Sequence, residues 1–128
     1  MNIDWVRDCC LSLPHATEQI QWVDDLVFKV GGKMFAVAVL VPARVWLSFK
    51  TTPEEFGQLT DLPGIIPAPY MARAQWVALE APNALAPAEL QRLLRQSYDL
   101  VFAKLPKKAQ SALLKQPQRR KKPPSRKR

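Results

Sequence analysis

Residues 26–50 form the longest apolar stretch of the chain, and two adjacent glycines divide it. Gly31-Gly32 separates Val27-Phe28-Lys29-Val30 from Lys33-Met34-Phe35-Ala36-Val37, and both flanking segments are rich in β-branched and aromatic residues. The central residues of a two-residue hairpin turn need a positive φ, which glycine adopts without steric cost. The pattern therefore predicts a β-hairpin, followed by a third antiparallel strand that ends near Lys50.

A two-residue turn also predicts the register of this hairpin. Val30 should lie opposite Lys33, and Phe28 opposite Phe35. Since side chains alternate between the two faces of a strand, one face should carry Phe28, Val30, Phe35 and Val37, and the other Val27, Lys29, Met34 and Ala36. The length of the loop around Pro42-Ala43-Arg44 leaves open which face carries Trp46, Ser48 and Lys50.

The remaining segments predict helices around a single sheet. Helices are expected over residues 2–13, from Pro53 to about Leu59, from Ala86 or Pro87 to about Lys104, and over 107–114 if Pro106 opens a further helix. Residues 15–25 are interpreted as a polar connection, 62–70 as an irregular loop, and 75–80 as a fourth strand. Because the strands cluster instead of alternating with helices, the fold class is α+β, two-layer, with an antiparallel sheet and helices on one face.

The net charge of +8 is concentrated at the C-terminus. Residues 115–128 hold eight of the nineteen Lys and Arg residues and no acid, which leaves eleven basic residues against eleven acidic ones in residues 1–114. The segment also carries three prolines and no large apolar residue, so it is predicted to be disordered. We therefore expect one domain over residues 1–114 and a disordered basic tail over residues 115–128.

No group of residues nominates a reaction. His15 is the single histidine, Cys9 and Cys10 are adjacent, and no phosphate loop, nucleophile elbow or zinc motif is present. Nothing resembles a secretory signal or a membrane-spanning run. The sequence thus predicts a cytoplasmic, monomeric, non-enzymatic protein that needs no cofactor or metal and does not bind membranes.

The basic residues indicate a polyanion, and DNA in particular, as the partner. The predicted phosphate contacts are Arg119, Arg120, Lys121, Lys122, Arg126, Lys127 and Arg128 in the tail, with Lys29, Lys33, Lys50, Lys107 and Lys108 in the domain. Such contacts position a protein on DNA without specifying sequence. The alternative is a protein or small-ligand binding module that uses an open sheet face carrying Trp46, Tyr70 and Trp76, together with the loop Pro63–Met71.

Several segments, taken in order, resemble the MmcQ/YjbR-like family of small bacterial proteins. They are Leu13-Pro14, residues 27–36, Phe49-Lys50 with Pro53-Glu54-Glu55, residues 63–71, Gln75-Trp76-Val77, residues 97–101 and residues 105–108. The resemblance implies a fold similar to the bacterial frataxin CyaY, with helices on an antiparallel sheet, and it implies DNA binding.

Two further expectations follow from the resemblance. Family members tend to have a histidine just before the tryptophan of the fourth strand, where this chain has Gln75, so a function that needs that histidine is not expected here. Iron handling by analogy with frataxin would need clustered carboxylates on the first helix, which offers only Asp4 and Asp8.

Overall fold

The structure is a computed structural model that describes residues 2–69 and 71–116. Its helices are α1 (Ile3–Leu11), α2 (Pro53–Thr60), α3 (Pro87–Ala103) and α4 (Lys107–Lys115). Its strands are β1 (Thr17–Gln21), β2 (Asp25–Val30), β3 (Lys33–Val39), β4 (Leu47–Lys50), β5 (Ile65–Pro67) and β6 (Trp76–Leu79), and a short 3-10 turn covers Ala72–Ala74.

The six strands form one antiparallel sheet in the order β1-β2-β3-β4-β6-β5. The main hydrophobic core lies between this sheet and the helices, because residues from α1, α2 and α3 share one buried cluster with alternate residues of the strands. A smaller cluster of buried residues lies on the other face of the sheet. The predicted two-layer α+β fold with helices on one face is confirmed.

The β2–β3 hairpin follows its predicted register only next to the turn. Val30 lies opposite Lys33, but an irregularity between Phe28 and Lys29 places Phe28 opposite Ala36 instead of Phe35. β3 thus carries one extra residue, and Phe35 and Ala36 both contribute to the main core. The predicted faces were therefore wrong for Ala36 and for Val37, which joins the smaller cluster beside Val27. A residue pattern with strict alternation cannot reveal a bulge of this kind.

Two strands were absent from the sequence prediction. β1 lies within the segment interpreted as a polar connection, and it forms the sheet edge beside β2. Its pattern was missed because the strand contains a single large apolar residue, Ile20. β5 covers Ile65–Pro67 in the segment interpreted as irregular, and it forms the opposite edge beside β6. Proline lacks the N–H that a central strand must donate, and an edge strand tolerates it.

The register that the sequence left open is resolved by pairing of β4 with β3 and β6. Leu47 and Phe49 face the main core, whereas Ser48 lies between Val37 and Ala78 on the other face. The cap predicted before α2 is confirmed, since the Glu55 N–H donates to the Thr52 hydroxyl oxygen over 3.1 Å.

The segment predicted as a basic tail is described only at its beginning. Lys115, which was assigned to the tail, is the last residue of α4, so the helix runs one residue further than predicted. The tail residues named as phosphate contacts lie outside the described part of the chain: Arg119, Arg120, Lys121, Lys122, Arg126, Lys127 and Arg128. Tyr70 also lies outside it.

Candidate functional site

The turn of the β2–β3 hairpin packs against the C-terminal end of α3. Gly31 has φ +60°, and a β-carbon placed there would lie 2.6 Å from Leu105 Cδ1, just after that helix. Gly32 has φ +81°, with no neighbouring atom within 4 Å of its β-carbon position. The absence of a side chain at Gly31 thus lets the hairpin approach Leu105 closely and brings β3 alongside the end of α3.

This approach forms a shallow groove of about 320 Å³, which we call the lysine groove. Lys33, Lys50 and Lys104 line it, over a floor that includes Met34 and Val101. The lining contains no carboxylate. The C-terminal end of α3 carries partial negative charge, which favours lysines at this position. Three cationic side chains from three different elements thus share one concave surface.

Lys50 is the most strongly positioned of the three lysines. Its ammonium group donates a hydrogen bond to the Ala74 carbonyl oxygen over 2.9 Å. Its backbone N–H donates to Ser97 Oγ over 3.0 Å, and the Ser97 hydroxyl donates to the Phe35 carbonyl oxygen over 2.6 Å. Ser97 is fully buried, so it fastens α3 to both β3 and β4 next to the groove.

The electrostatic environment of Lys50 favours binding of an anion. Partial burial lowers the pKa of Lys50, and the nearby positive charge of Lys104 lowers this pKa further. A bound anion would relieve both effects, because it replaces lost solvation and screens the repulsion between the two ammonium groups.

Ion pairing divides the basic residues of the described chain into two classes. Four arginines pair with carboxylates: Arg7 with Glu18, Arg44 with Glu80, Arg92 with Glu55 and Glu89, and Arg95 with Asp99. No lysine of residues 2–69 or 71–116 pairs with a carboxylate of those residues. The lysines and the exposed Arg73, which forms no ion pair within those residues, are therefore the cations whose charge remains available to a ligand.

Two further lysines, Lys107 and Lys108, follow Lys104 in the chain. Both are exposed and occupy the first turn of α4, which starts two residues after Leu105. This turn contains no acid, and its N-cap, Pro106, provides no side-chain hydrogen bond. Cations at the positive end of a helix dipole are unfavourable, and an anion bound there would gain from both the lysines and the free N–H groups.

The structure brings together only part of the predicted set. Lys33 and Lys50 line the groove and Lys107 and Lys108 follow it in the chain, whereas Lys29 donates to Gln19 Oε1 over 3.1 Å near the β1 edge. Lys104 was absent from the sequence prediction. In the chain it lies between two buried residues, Val101 and Leu105, but only the packing of the hairpin shows that it lies near Lys50.

Trp46 and Trp76, the two described aromatic residues predicted for a partner face, are not on a common open surface. Trp76 is only 4% exposed and belongs to the smaller cluster, together with Ala68 and Met71 from the loop that precedes it. Trp46 packs against the main core on the other side of the sheet, and its indole nitrogen is buried with no hydrogen-bond partner among the described residues. The role predicted for these aromatic side chains stays a prediction.

The residues considered for chemistry are dispersed. His15 is half-buried with φ +63°, and Cys9 and Cys10 are free thiols whose pKa values are raised, chiefly by burial. Within residues 2–69 and 71–116, no three His, Cys, Asp or Glu side chains come close enough to hold a metal ion. No helix in that part of the chain is both long and apolar enough to cross a membrane.

Comparison with known proteins confirms the resemblance seen in the sequence. The sequence model of the YjbR family matches residues 11–100. A crystal structure of a Deinococcus radiodurans protein with the domain DUF419 is 31% identical, with a TM-score of 0.79, covering 88% of this chain and 87% of that one. A Pseudomonas syringae protein is 25% identical, with a TM-score of 0.65, covering 78% of this chain and 98% of that one. No curated protein matches the chain.

Proposed function

The chain belongs to the YjbR family, and from this premise we propose that it is a non-enzymatic DNA-binding protein that contacts phosphates through its lysines. The convergence of Lys33, Lys50 and Lys104 on one groove without a carboxylate carries this proposal. Lys107 and Lys108 follow the groove residue Lys104 in the chain, which continues from α4 into the basic residues 119–128.

The total charge of the domain does not favour DNA binding, but the distribution of its charges does. Residues 1–114 are formally neutral, yet their lysines are concentrated where β3 begins, β4 ends and α3 meets α4. Half-buried Asp24 and Asp25 lie at the opposite end of β2. A neutral body with separated charges can orient one basic end toward a polyanion, which raises the rate of productive encounter.

The type of contact implies little sequence preference. Lysine presents a point charge that suits phosphate oxygens, whereas base recognition generally uses arginine, asparagine or glutamine in bidentate contacts. Four of the five arginines in the described residues are engaged in ion pairs, which leaves only Arg73, and Trp76 is too deeply buried to stack on a base. Binding should therefore depend on phosphate density and on salt concentration, because the release of cations from DNA supplies the favourable free energy of binding.

A charge-matched comparison tests the role of the groove. The double variant Lys33→Gln/Lys104→Gln removes two cations from the groove, and Arg44→Gln/Arg95→Gln removes two exposed cations elsewhere. In fluorescence anisotropy with a labelled duplex, the groove variant should reduce the slope of log affinity against log salt by about 2. Each phosphate contact that is lost leaves about one more counterion bound to the DNA.

The control variant should leave that slope nearly unchanged. Both double variants have the same net charge. If DNA binding depended only on the net charge of the protein, both variants would lose the same affinity for DNA. Equal losses for the two variants would show that the groove has no particular part in binding. Lys50 is left intact in this test because its hydrogen bond to Ala74 also contributes to the fold.

A further inference from the structure

One side chain from each strand forms an apolar row across the sheet, on the side that faces the helices. The row consists of Ile20, Leu26, Ala38, Leu47, Leu79 and Ile65, in strand order. Its members from Leu26 to Ile65 are at most 7% exposed, whereas Ile20 on β1 is 61% exposed. The row thus continues past the covered core to the edge of the sheet, where its last side chain meets solvent.

β1 itself is an unprotected edge. It pairs with β2 on one side, and no other strand of the described residues lies on its other side. Natural edge strands commonly carry lysine, proline or a bulge that blocks further pairing. The sequence of β1 contains none of these residues, its pairing with β2 is regular, and its single charge, Glu18, is paired with Arg7 over 2.6 Å. Its outer backbone groups can therefore accept a further strand.

The turn after β1 presents two large apolar side chains at a cost in backbone strain. Trp22 has φ +49° and Val23 has φ +74°, and they are 61% and 84% exposed. A positive φ is an outlier for a β-branched residue, so the backbone at Val23 is strained. Glycine at these positions would relieve the strain, but it would also remove the exposed side chains. The strained turn therefore retains two exposed apolar groups.

A neighbouring loop enlarges this apolar surface. The Leu40 N–H donates to the Asp24 carbonyl oxygen over 2.8 Å, which holds the segment after β3 against the turn. Leu40 and Val41 are 41% and 44% exposed. We call the combined surface of Ile20, Trp22, Val23, Leu40 and Val41 the hydrophobic turn patch.

Two acids lie beside the hydrophobic turn patch. Asp24 and Asp25 form no ion pair with any residue of the described chain. Burial raises the pKa of Asp25, and the neighbouring charge of Asp24 raises it further. A basic group placed next to this pair would offset both effects, so the charge of the surface is complementary to a cation.

We propose that the β1 edge and the hydrophobic turn patch together bind an extended peptide segment of another protein. The segment adds a strand to β1, places an apolar side chain beside Ile20 as the next member of the row, and places a lysine or arginine beside Asp24 and Asp25. Backbone pairing supplies affinity in this mode, and the alternate side chains supply specificity. The proposal is independent of DNA binding.

Charge distinguishes this occupant from the alternatives. A second copy that paired through its own β1 would bring no lysine or arginine on that strand to meet the two acids. An anionic membrane surface would be repelled by them.

Synthetic peptides test the proposal on the full chain. The probe is a labelled peptide of about nine residues that alternates valine and arginine, and the control peptide alternates valine and glutamine, which carries no charge that the basic residues would attract. The arginine peptide should bind at least about tenfold more tightly, because only it combines strand pairing with a complementary charge. Hydrogen exchange should show new protection of the backbone N–H groups of residues 17–21 in the complex.

Matched variants locate the binding surface. Ile20→Lys and Asp24→Asn/Asp25→Asn should each weaken the arginine peptide by about tenfold, since each removes a contact that the proposal requires. Leu62→Lys and Asp61→Asn should have little effect, because they change an exposed apolar residue and an exposed acid outside the patch. All these positions are at the surface or half-buried, so the variants should fold.

Several results would overturn the proposal. They include equal affinity for the two peptides, no binding up to about 1 mM, and binding without protection of β1. Light scattering that showed a dimer lost in Ile20→Lys would assign the edge to a second copy. Binding to phosphatidylcholine vesicles that was lost in Trp22→Ala would assign the patch to a lipid surface.

Discussion

At the scale of single residues, the fold depends on two positions, Gly31 and Ser97, where most other side chains would not fit the local contacts. Gly31 combines a positive φ with a neighbour, Leu105, that would lie 2.6 Å from any β-carbon. Ser97 is a fully buried hydroxyl that satisfies one backbone donor on β4 and one backbone acceptor on β3. Both residues lie next to the lysine groove, so the geometry of the proposed site depends on side chains that carry no charge.

The two turn glycines provide a matched pair for measuring the contact at Gly31. Gly31→Ala and Gly32→Ala both introduce a side chain at positive φ, which costs about 1–2 kcal/mol. Gly31→Ala must also displace the buried Leu105 side chain, and overpacking adds about 1–3 kcal/mol. Urea denaturation should therefore show the larger loss for Gly31→Ala. If the two variants lost equal stability, the close packing of the hairpin against the end of α3 would be contradicted.

At the scale of elements, α4 has two of its three charged residues placed against its own dipole. Lys107 and Lys108 occupy its first turn, where anions are favoured, and Lys115 occupies its last turn, where cations are favoured. A helix arranged for stability alone would have acids in its first turn and would keep the lysine in its last turn. The arrangement is explained if the first turn of α4 binds an anionic ligand and gives up some stability for that purpose.

This arrangement predicts opposite effects on stability and on DNA binding. Lys107→Glu/Lys108→Glu should stabilise the fold by about 0.3–1 kcal/mol per residue, because acids suit the first turn of a helix, while it weakens duplex binding. Lys115→Glu should destabilise the fold slightly. Thermal unfolding and anisotropy on the same samples measure both effects. A double variant that bound DNA as well as the native chain would exclude the first turn of α4 from the interface.

At the scale of the whole molecule, two basic regions follow one another along the chain. The lysine end of the folded domain leads through α4 to Gln116, and the seven remaining basic residues of the sequence follow. The proposed function gives most of the affinity to these C-terminal residues by charge alone, and it gives the orientation on DNA to the folded lysines.

Truncation after Gln116 separates the two contributions. Loss of seven cations should reduce the slope of log affinity against log salt by up to about 6. The truncated chain should still bind a duplex weakly at low salt, and Lys33→Gln/Lys104→Gln should weaken that remaining binding further. Affinity equal to that of the full chain would remove the C-terminal residues from the mechanism, and a complete loss of binding would remove the groove.

Strong local signals were enough to predict several parts of this protein. The glycine pair predicted the hairpin, Thr52 and Pro53 predicted the start of α2, and clustered strands predicted the two-layer α+β class. Each of these features depends on backbone preferences or apolar patterns within a few residues. Family membership could also be recognised from short segments taken in order, and the match over residues 11–100 confirms it.

The tertiary structure decided the features whose causes lie far apart in the sequence. β1 and β5 have weak patterns because edge strands bury little, so only their pairing partners identify them. The bulge at Phe35 is visible only in the pairing of β2 with β3, and it places Val37 on the face opposite to the predicted one. Lys104 lies 71 and 54 residues from Lys33 and Lys50, and packing alone brings these three charges together. Sequence determines which charges and apolar groups exist, whereas long-range packing determines which of them share a surface.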